Sequence, residues 1–410
     1  MDSRELKMDS KRLHKKLKDM KFHSDINKID ITLMNHYMKL YFDMKRDYME
    51  LLDEVRWDDF EIESKRINRE EMINIIESSS FMSKEIGNEI KREFHYEWRI
   101  KYREVELIYF SKNEKLGRIE KESIKEMILV TILFKKLYKR DENYNQKITY
   151  FPTLLKKKID FSSKKSLGKN ECNSGLTYIN QMGNYFNLHN GDIIIFRKEE
   201  NIKVLIHEMF HSNYRDLMLI RHMNNSEFTD NFCTDYDILL NESYTEFNAT
   251  IMNIFYIGVK NDMKIKEIKE LLQEEIKYGI YVCKKILQFY GLDSVKDIMR
   301  IKRILKKGKK EIVQCGNSNG CCHGKLSQKT NVIAYYLFKP IQMFHLSDMN
   351  RFIGNHTEEL GIKNYEAVQK YKNNILKWIQ NDDWNELLNI KNHDSINDKE
   401  DSLRMTMFEA

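Results

Sequence analysis

Residues 207–211 read His-Glu-Met-Phe-His. Two histidines four apart on a helix share one face, a single turn apart, so both imidazoles can reach one ion. Glu208 projects beside them, where a carboxylate can hold a metal-bound water. On a strand the same two histidines would share a face but stand too far apart to chelate one Zn²⁺. Neighbouring residues fit the helical reading. Leu205, Ile206, Met209, Phe210 and Leu217 form an apolar stripe roughly opposite the histidines. This pattern predicts a helix over residues 200–221 that packs by one side and lines a cleft by the other.

His-Glu-x-x-His alone is a modest signal. Catalytic zinc keeps three protein ligands and one open position, so a third ligand is required. Residues 239–249 read LLNESYTEFNA, which places Glu242 and Glu246 four apart. Leu240, Tyr244, Phe247, Ile251 and Phe255 form the opposite, apolar face of a second predicted helix, over residues 237–258. If the two helices are antiparallel neighbours, His207, His211 and Glu242 converge on one ion. Asp235 and Asp237, near the end of a polar connection over residues 222–236, are the alternative third ligands. The plainer explanation makes these histidines and acids ordinary solvated helix faces. Their order on two adjacent helices, directly after the one β-rich stretch, favours the metal.

These residues resemble the gluzincin metallopeptidases, the thermolysin-like and M1 aminopeptidase-like group, in which His-Glu-x-x-His is followed by Asn-Glu-x-x-x-acid. The resemblance covers roughly residues 190–258. It implies one Zn²⁺ per chain held by His207, His211 and Glu242, with Asn241 preceding the third ligand. It also implies that Glu246, where the thermolysin-like version usually has Asp, hydrogen-bonds the first histidine and fixes its tautomer. Two departures stand out. The gap between His211 and Glu242 is longer than in most gluzincins, and no GxMEN segment of the aminopeptidase type is present. A metzincin reading fails because Tyr214 and Leu217 stand where Gly and His would be needed. More loosely, the chain is similar to peptidase-like proteins of large DNA viruses.

The implied reaction is peptide-bond hydrolysis, most simply as an endopeptidase. Glu208 would take a proton from the metal-bound water and later pass it to the leaving amine. The developing oxyanion needs a donor, which in related enzymes is a Tyr or His from the C-terminal part. Tyr336 is the expected donor, with Tyr335, His323 and His345 as alternatives. Core packing is the competing role for either tyrosine. Residues 192–196, DIIIF, read as a strand whose Ile194 and Ile195 could pair with an extended substrate backbone. An interior place in the sheet is the competing reading. The Cys/His loop at 315–323 reads as free thiols rather than a second zinc site, and Cys172, Cys233 and Cys283 as isolated thiols.

The rest of the chain must position these groups. An α+β, mostly helical fold is expected. A basic flexible arm (1–30) and a helical region (31–140) precede a zincin-like domain (141–390) with a small sheet, and a disordered tail (391–410) follows. The helical region offers a surface for a protein partner, separate from the peptide or protein substrate. The 69 Lys+Arg against 63 Asp+Glu give a net charge of +6 over 410 residues, which is weak support for nucleic acid, and none is expected as a partner. The longest apolar run, residues 127–134, is too short to span a bilayer, so no membrane association is expected. The first twenty residues contain no apolar stretch of the secretory kind, which points to an intracellular protein with reduced cysteines. The rival reading is a non-catalytic structural or interaction protein, such as a virion component, that retains the zincin fold. Retention of Glu208 argues against it.

Overall fold

Three consecutive β-branched residues, Ile193, Ile194 and Ile195, form a strand buried on both faces. Side chains alternate across a strand, so they feed two cores. Ile193 and Ile195 enter the larger one, while Ile194 joins Phe110, Phe151, Leu176 and Phe196 in a smaller one on the other face. These relationships come from a computed structural model, which describes residues 35–79, 81–139, 144–162, 166–178, 191–234, 236–292, 294–304, 311–315, 326–388 and 402–409. The fold is α+β and mostly helical, with a small mixed sheet.

Six strands make that sheet, in the order β1–β2–β3–β4–β6–β5. They are β1 (Glu61–Arg66), β2 (Tyr96–Tyr102), β3 (Val105–Ser111), β4 (Gln146–Tyr150), β5 (Gly175–Thr177) and β6 (Ile193–Ile195). The first three are antiparallel neighbours, β3, β4 and β6 run parallel, and β5 returns antiparallel along β6. β5 therefore stands at the end of the strand order, and β6 is interior.

Five helices matter most to the site: α1 (Asn35–Glu54), α2 (Arg118–Leu137), α3 (Asn201–Ser212), α4 (Leu240–Lys260) and α5 (Ile265–Phe289). Parallel strands need a crossover, and α2 supplies it between β3 and β4. The longest apolar run in the sequence is the buried half of α2. α3 is buried from Ile202 to Ser212, and α4 is buried along nearly its whole length. No helix among the described residues is long and apolar enough to cross a membrane.

Three expectations need correction. Residues 31–140 are not simply helical, because β1, β2 and β3 lie there and build half of the sheet. β1 is exposed along its whole length and shows no apolar alternation. The β2–β3 turn uses Arg103 at φ 52° in place of a glycine signal. Nor does this region form a separate core, since Tyr37 and Tyr41 of α1 meet Phe255 of α4 edge-on. The tail is not disordered throughout: residues 402–409 are described, and Leu403, Thr406 and Met407 are buried. Finally, Cys233 is disulfide-bonded rather than a free thiol, and its partner is neither Cys172 nor Cys283, which are free and buried. Pairing between cysteines distant in sequence has no local signature. Residues 1–30, and the loop portion of the Cys/His segment at 316–323, lie outside the described residues.

Candidate metal centre

α3 and α4 meet through pairs whose numbers run in opposite directions. Lys203 meets Glu246, His207 meets both Glu246 and Glu242, and His211 meets Glu242. The helices are therefore antiparallel neighbours. The histidine Nε2 atoms lie 3.1 Å apart. Glu242 Oε2 is 3.5 Å from His207 Nε2 and 3.6 Å from His211 Nε2. A tetrahedral Zn²⁺ with bonds of about 2.0–2.2 Å holds its ligand atoms about 3.3–3.5 Å apart. The three atoms thus already form one face of such a tetrahedron. Among the described residues, His207, His211 and Glu242 are the group whose ligand atoms converge closely enough to hold an ion.

Each imidazole is oriented through its other nitrogen. His207 Nδ1 lies 3.0 Å from Glu246 Oε2, as the resemblance implied. His211 Nδ1 lies 2.7 Å from Asp216 Oδ2, and Asn241 Nδ2 donates to the same oxygen at 3.1 Å. Asp216 reaches His211 because the expected 200–221 helix breaks. α3 stops at Ser212, Tyr214 takes φ 56°, and a new helical turn starts at Leu217. In an unbroken helix, a residue five positions on would point well away from His211.

Glu208 is placed by β5. Thr177 Oγ1 donates to Glu208 Oε2 at 2.8 Å. The strand approaches α3 so closely that a Cβ at Gly175 would lie 2.8 Å from Val204 and 3.0 Å from Glu208 Oε1. Tyr335 occupies the opposite side, donating to Glu242 Oε2 at 2.8 Å. It lies in a π-helical turn, Ile333–Phe338, that ends two residues before Pro340. Proline there removes a regular helical donor, and π turns recur where side chains are aimed at functional sites. A pocket of about 230 Å³ opens onto these groups, with Phe81, Leu176, Val204 and Met405 supplying its apolar wall.

The electrostatics sort the carboxylates. Burial raises the pKa of Glu208, and the two imidazoles and Thr177 offset this only in part. Burial opposes charge at Glu242 as well, yet the neighbouring histidines prevail and hold its carboxyl well below the ordinary range. Glu246 is held at about 2 because Lys203 and the His207 hydrogen bond outweigh burial. Burial disfavours an imidazolium at His211, but Asp216 and Glu242 overcome it and raise that pKa well above 6.5. The carboxylates around the histidines are thus held in their charged form, while burial shifts Glu208 beside them upward.

Other expected site residues fall elsewhere. Tyr336 is corrected: its hydroxyl is buried and donates to Leu403 O at 2.8 Å, since adjacent residues on the turn face different ways and Tyr335 faces the cleft. Ile194 and Ile195 are corrected as substrate contacts, because β6 is interior and both are fully buried. Asp237 is exposed and outside the ligand group. His345 stacks on Trp378 at 5.2 Å. Asp235 and His323 lie outside the described residues. Sequence reasoning missed Asp216, Thr177, Gly175 and Lys203.

No family model matches this chain, and no curated protein or solved structure matches it either.

Proposed function

We propose that this chain is a zinc-dependent peptide hydrolase acting on internal bonds of an extended chain. One observation carries the reading: three ligand atoms 3.1, 3.5 and 3.6 Å apart, on two antiparallel helices, with a carboxylate of raised pKa beside them. His207, His211 and Glu242 would hold the ion. Bound zinc would lower the pKa of a water to about 7 and polarise a carbonyl.

This chain's own residues supply the remaining chemistry. Glu208, kept in reach by Thr177, is suited to take a proton and return it to the leaving amine. Tyr335 can turn its hydroxyl from Glu242 to a developing oxyanion. β5 supports an extended substrate. Ser174 and Tyr178 spend their backbone bonds on the β6 side. By the alternation of an antiparallel ladder, Gly175 and Thr177 turn theirs outward. A substrate strand laid there places its carbonyl beside Glu208 and an apolar side chain against Phe81, Leu176 and Val204.

The test is digestion of a mixed peptide library. Cleavage that stops with a chelator and returns with added Zn²⁺ supports the reading, with apolar residues enriched next to the cut. A protein that binds zinc and cleaves no peptide would instead be a structural or interaction protein.

A further inference from the structure

Residues 402–409 lie in the body of the protein as a bound peptide would. Five consecutive residues are each gripped through their backbone by a buried side chain. Tyr336 donates to Leu403 O at 2.8 Å, Tyr278 to Arg404 O at 3.0 Å and Lys339 to Met405 O at 2.7 Å. Glu200 accepts from Thr406 N at 2.7 Å, and Glu275 from Met407 N at 2.9 Å. Arg404 itself is 2% exposed, with Glu409, Glu200 and Glu199 favouring its charge.

One of these contacts reaches the start of α3, which carries His207 and His211, and a side-chain contact from Met405 reaches its first turn. Glu200 is the residue before α3. It is held at φ 59°, a left-handed conformation that costs an L residue energy unless its surroundings fix it. Lys157 at 2.8 Å and Thr406 N fix it, with Lys157 and Glu200 both fully buried. One turn before His207, Lys203 Nζ lies 3.6 Å from Met405 Sδ and pairs with Glu246. Glu246 in turn meets His207 Nδ1 at 3.0 Å. Met405 also lines the pocket.

We propose that residues 402–409 are an intramolecular peptide ligand whose docking sets the start of α3, with Met405 and Lys203 acting as positioning residues for Glu246 and, through it, His207. The groove is then a peptide-binding site in its own right, reading backbone groups and one buried arginine. From the proposed function the inference takes only that His207 is a metal ligand.

The test uses the full chain, free of metal. Arg404→Glu sets an acid against Glu199 and Glu200 and should expel the segment. Hydrogen exchange by mass spectrometry reports docking. The imidazole Nδ1–H resonance of His207, assigned by its absence in His207→Gln, reports the site. Loss of protection at residues 403–407 together with loss or displacement of the His207 resonance is expected, and an excess of a synthetic peptide of residues 401–410 should restore the signal. Met405→Ala keeps the backbone contacts and should shift the same resonance, which keeps the test open if Arg404→Glu does not fold. An expelled segment with an unchanged His207 resonance would overturn the proposal, as would an unchanged resonance in Met405→Ala. Absence of zinc binding in the wild type would contradict the hydrolase reading and leave these proton signals as they are.

Discussion

On the floor of the cleft, His207, His211, Glu242 and Glu246 all come from two helices, and each pair is spaced by one helical turn. On the rim, Thr177, Asp216, Tyr335 and Met405 come from an edge strand, a break between two helices, a π-helical turn and the tail. Both groups set the same few atoms. Glu246 and Asp216 do the same job for the two imidazoles, at 3.0 and 2.7 Å. Yet Glu246 is delivered by periodicity, and Asp216 by a departure from it. The floor is a local property of two amphipathic helices, while the rim exists only once distant segments have packed.

This contrast explains what could be read in advance. The spacings 207/211 and 242/246 imply one face each, and antiparallel packing brings the faces together. The α+β class was also legible, because the Ile193–Ile195 strand adjoins long periodic segments. Tyr335 could not be told from Tyr336, since a π-helical turn alters which residue faces the cleft. β1 was hidden because it is exposed along its whole length, and the β2–β3 hairpin because it turns at Arg103 without a glycine or Asn-Gly signal. The tail looked disordered because the side chains that grip it, from Glu200 to Lys339, lie more than 60 positions away.

The largest effect should come from the floor. Glu208→Gln is expected to cut peptide cleavage by about 10²–10⁴-fold while zinc content stays near that of the wild type. Loss of zinc in this variant would mean that Glu208 shapes the site and does not serve as its base. On the rim, Tyr335→Phe should lower kcat by about 10²–10³-fold with little change in KM. Tyr336→Phe removes one of the five grips on the tail and should lower stability by about 1 kcal/mol, the value of one buried hydrogen bond, with a far smaller effect on kcat than Tyr335→Phe. The reverse pattern would restore Tyr336 to the site.

A direct comparison of floor and rim is available in the imidazole partners. Asp216→Ala and Glu246→Ala are each expected to weaken zinc affinity by about 10–100-fold in a chelator competition assay. A loss confined to Glu246→Ala would show that the helix break at 213–216 is incidental. The smallest effect concerns a histidine outside the cleft. Burial lowers the pKa of His345 to about 4, so the unfolded chain binds its proton first as pH falls. Its contribution is therefore intact above pH 6.5 and declines as pH drops towards 4. Denaturation midpoints should show this decline, and His345→Phe should reduce it.

The most direct test of the whole account is the zinc content of the purified protein, measured for the wild type, His211→Ala and Glu242→Ala together. The account predicts about one zinc per wild-type chain, as a three-ligand site requires, and loss of it in both variants. A wild type that takes up no zinc, or a Glu242→Ala variant that binds it as tightly as the wild type, would contradict it.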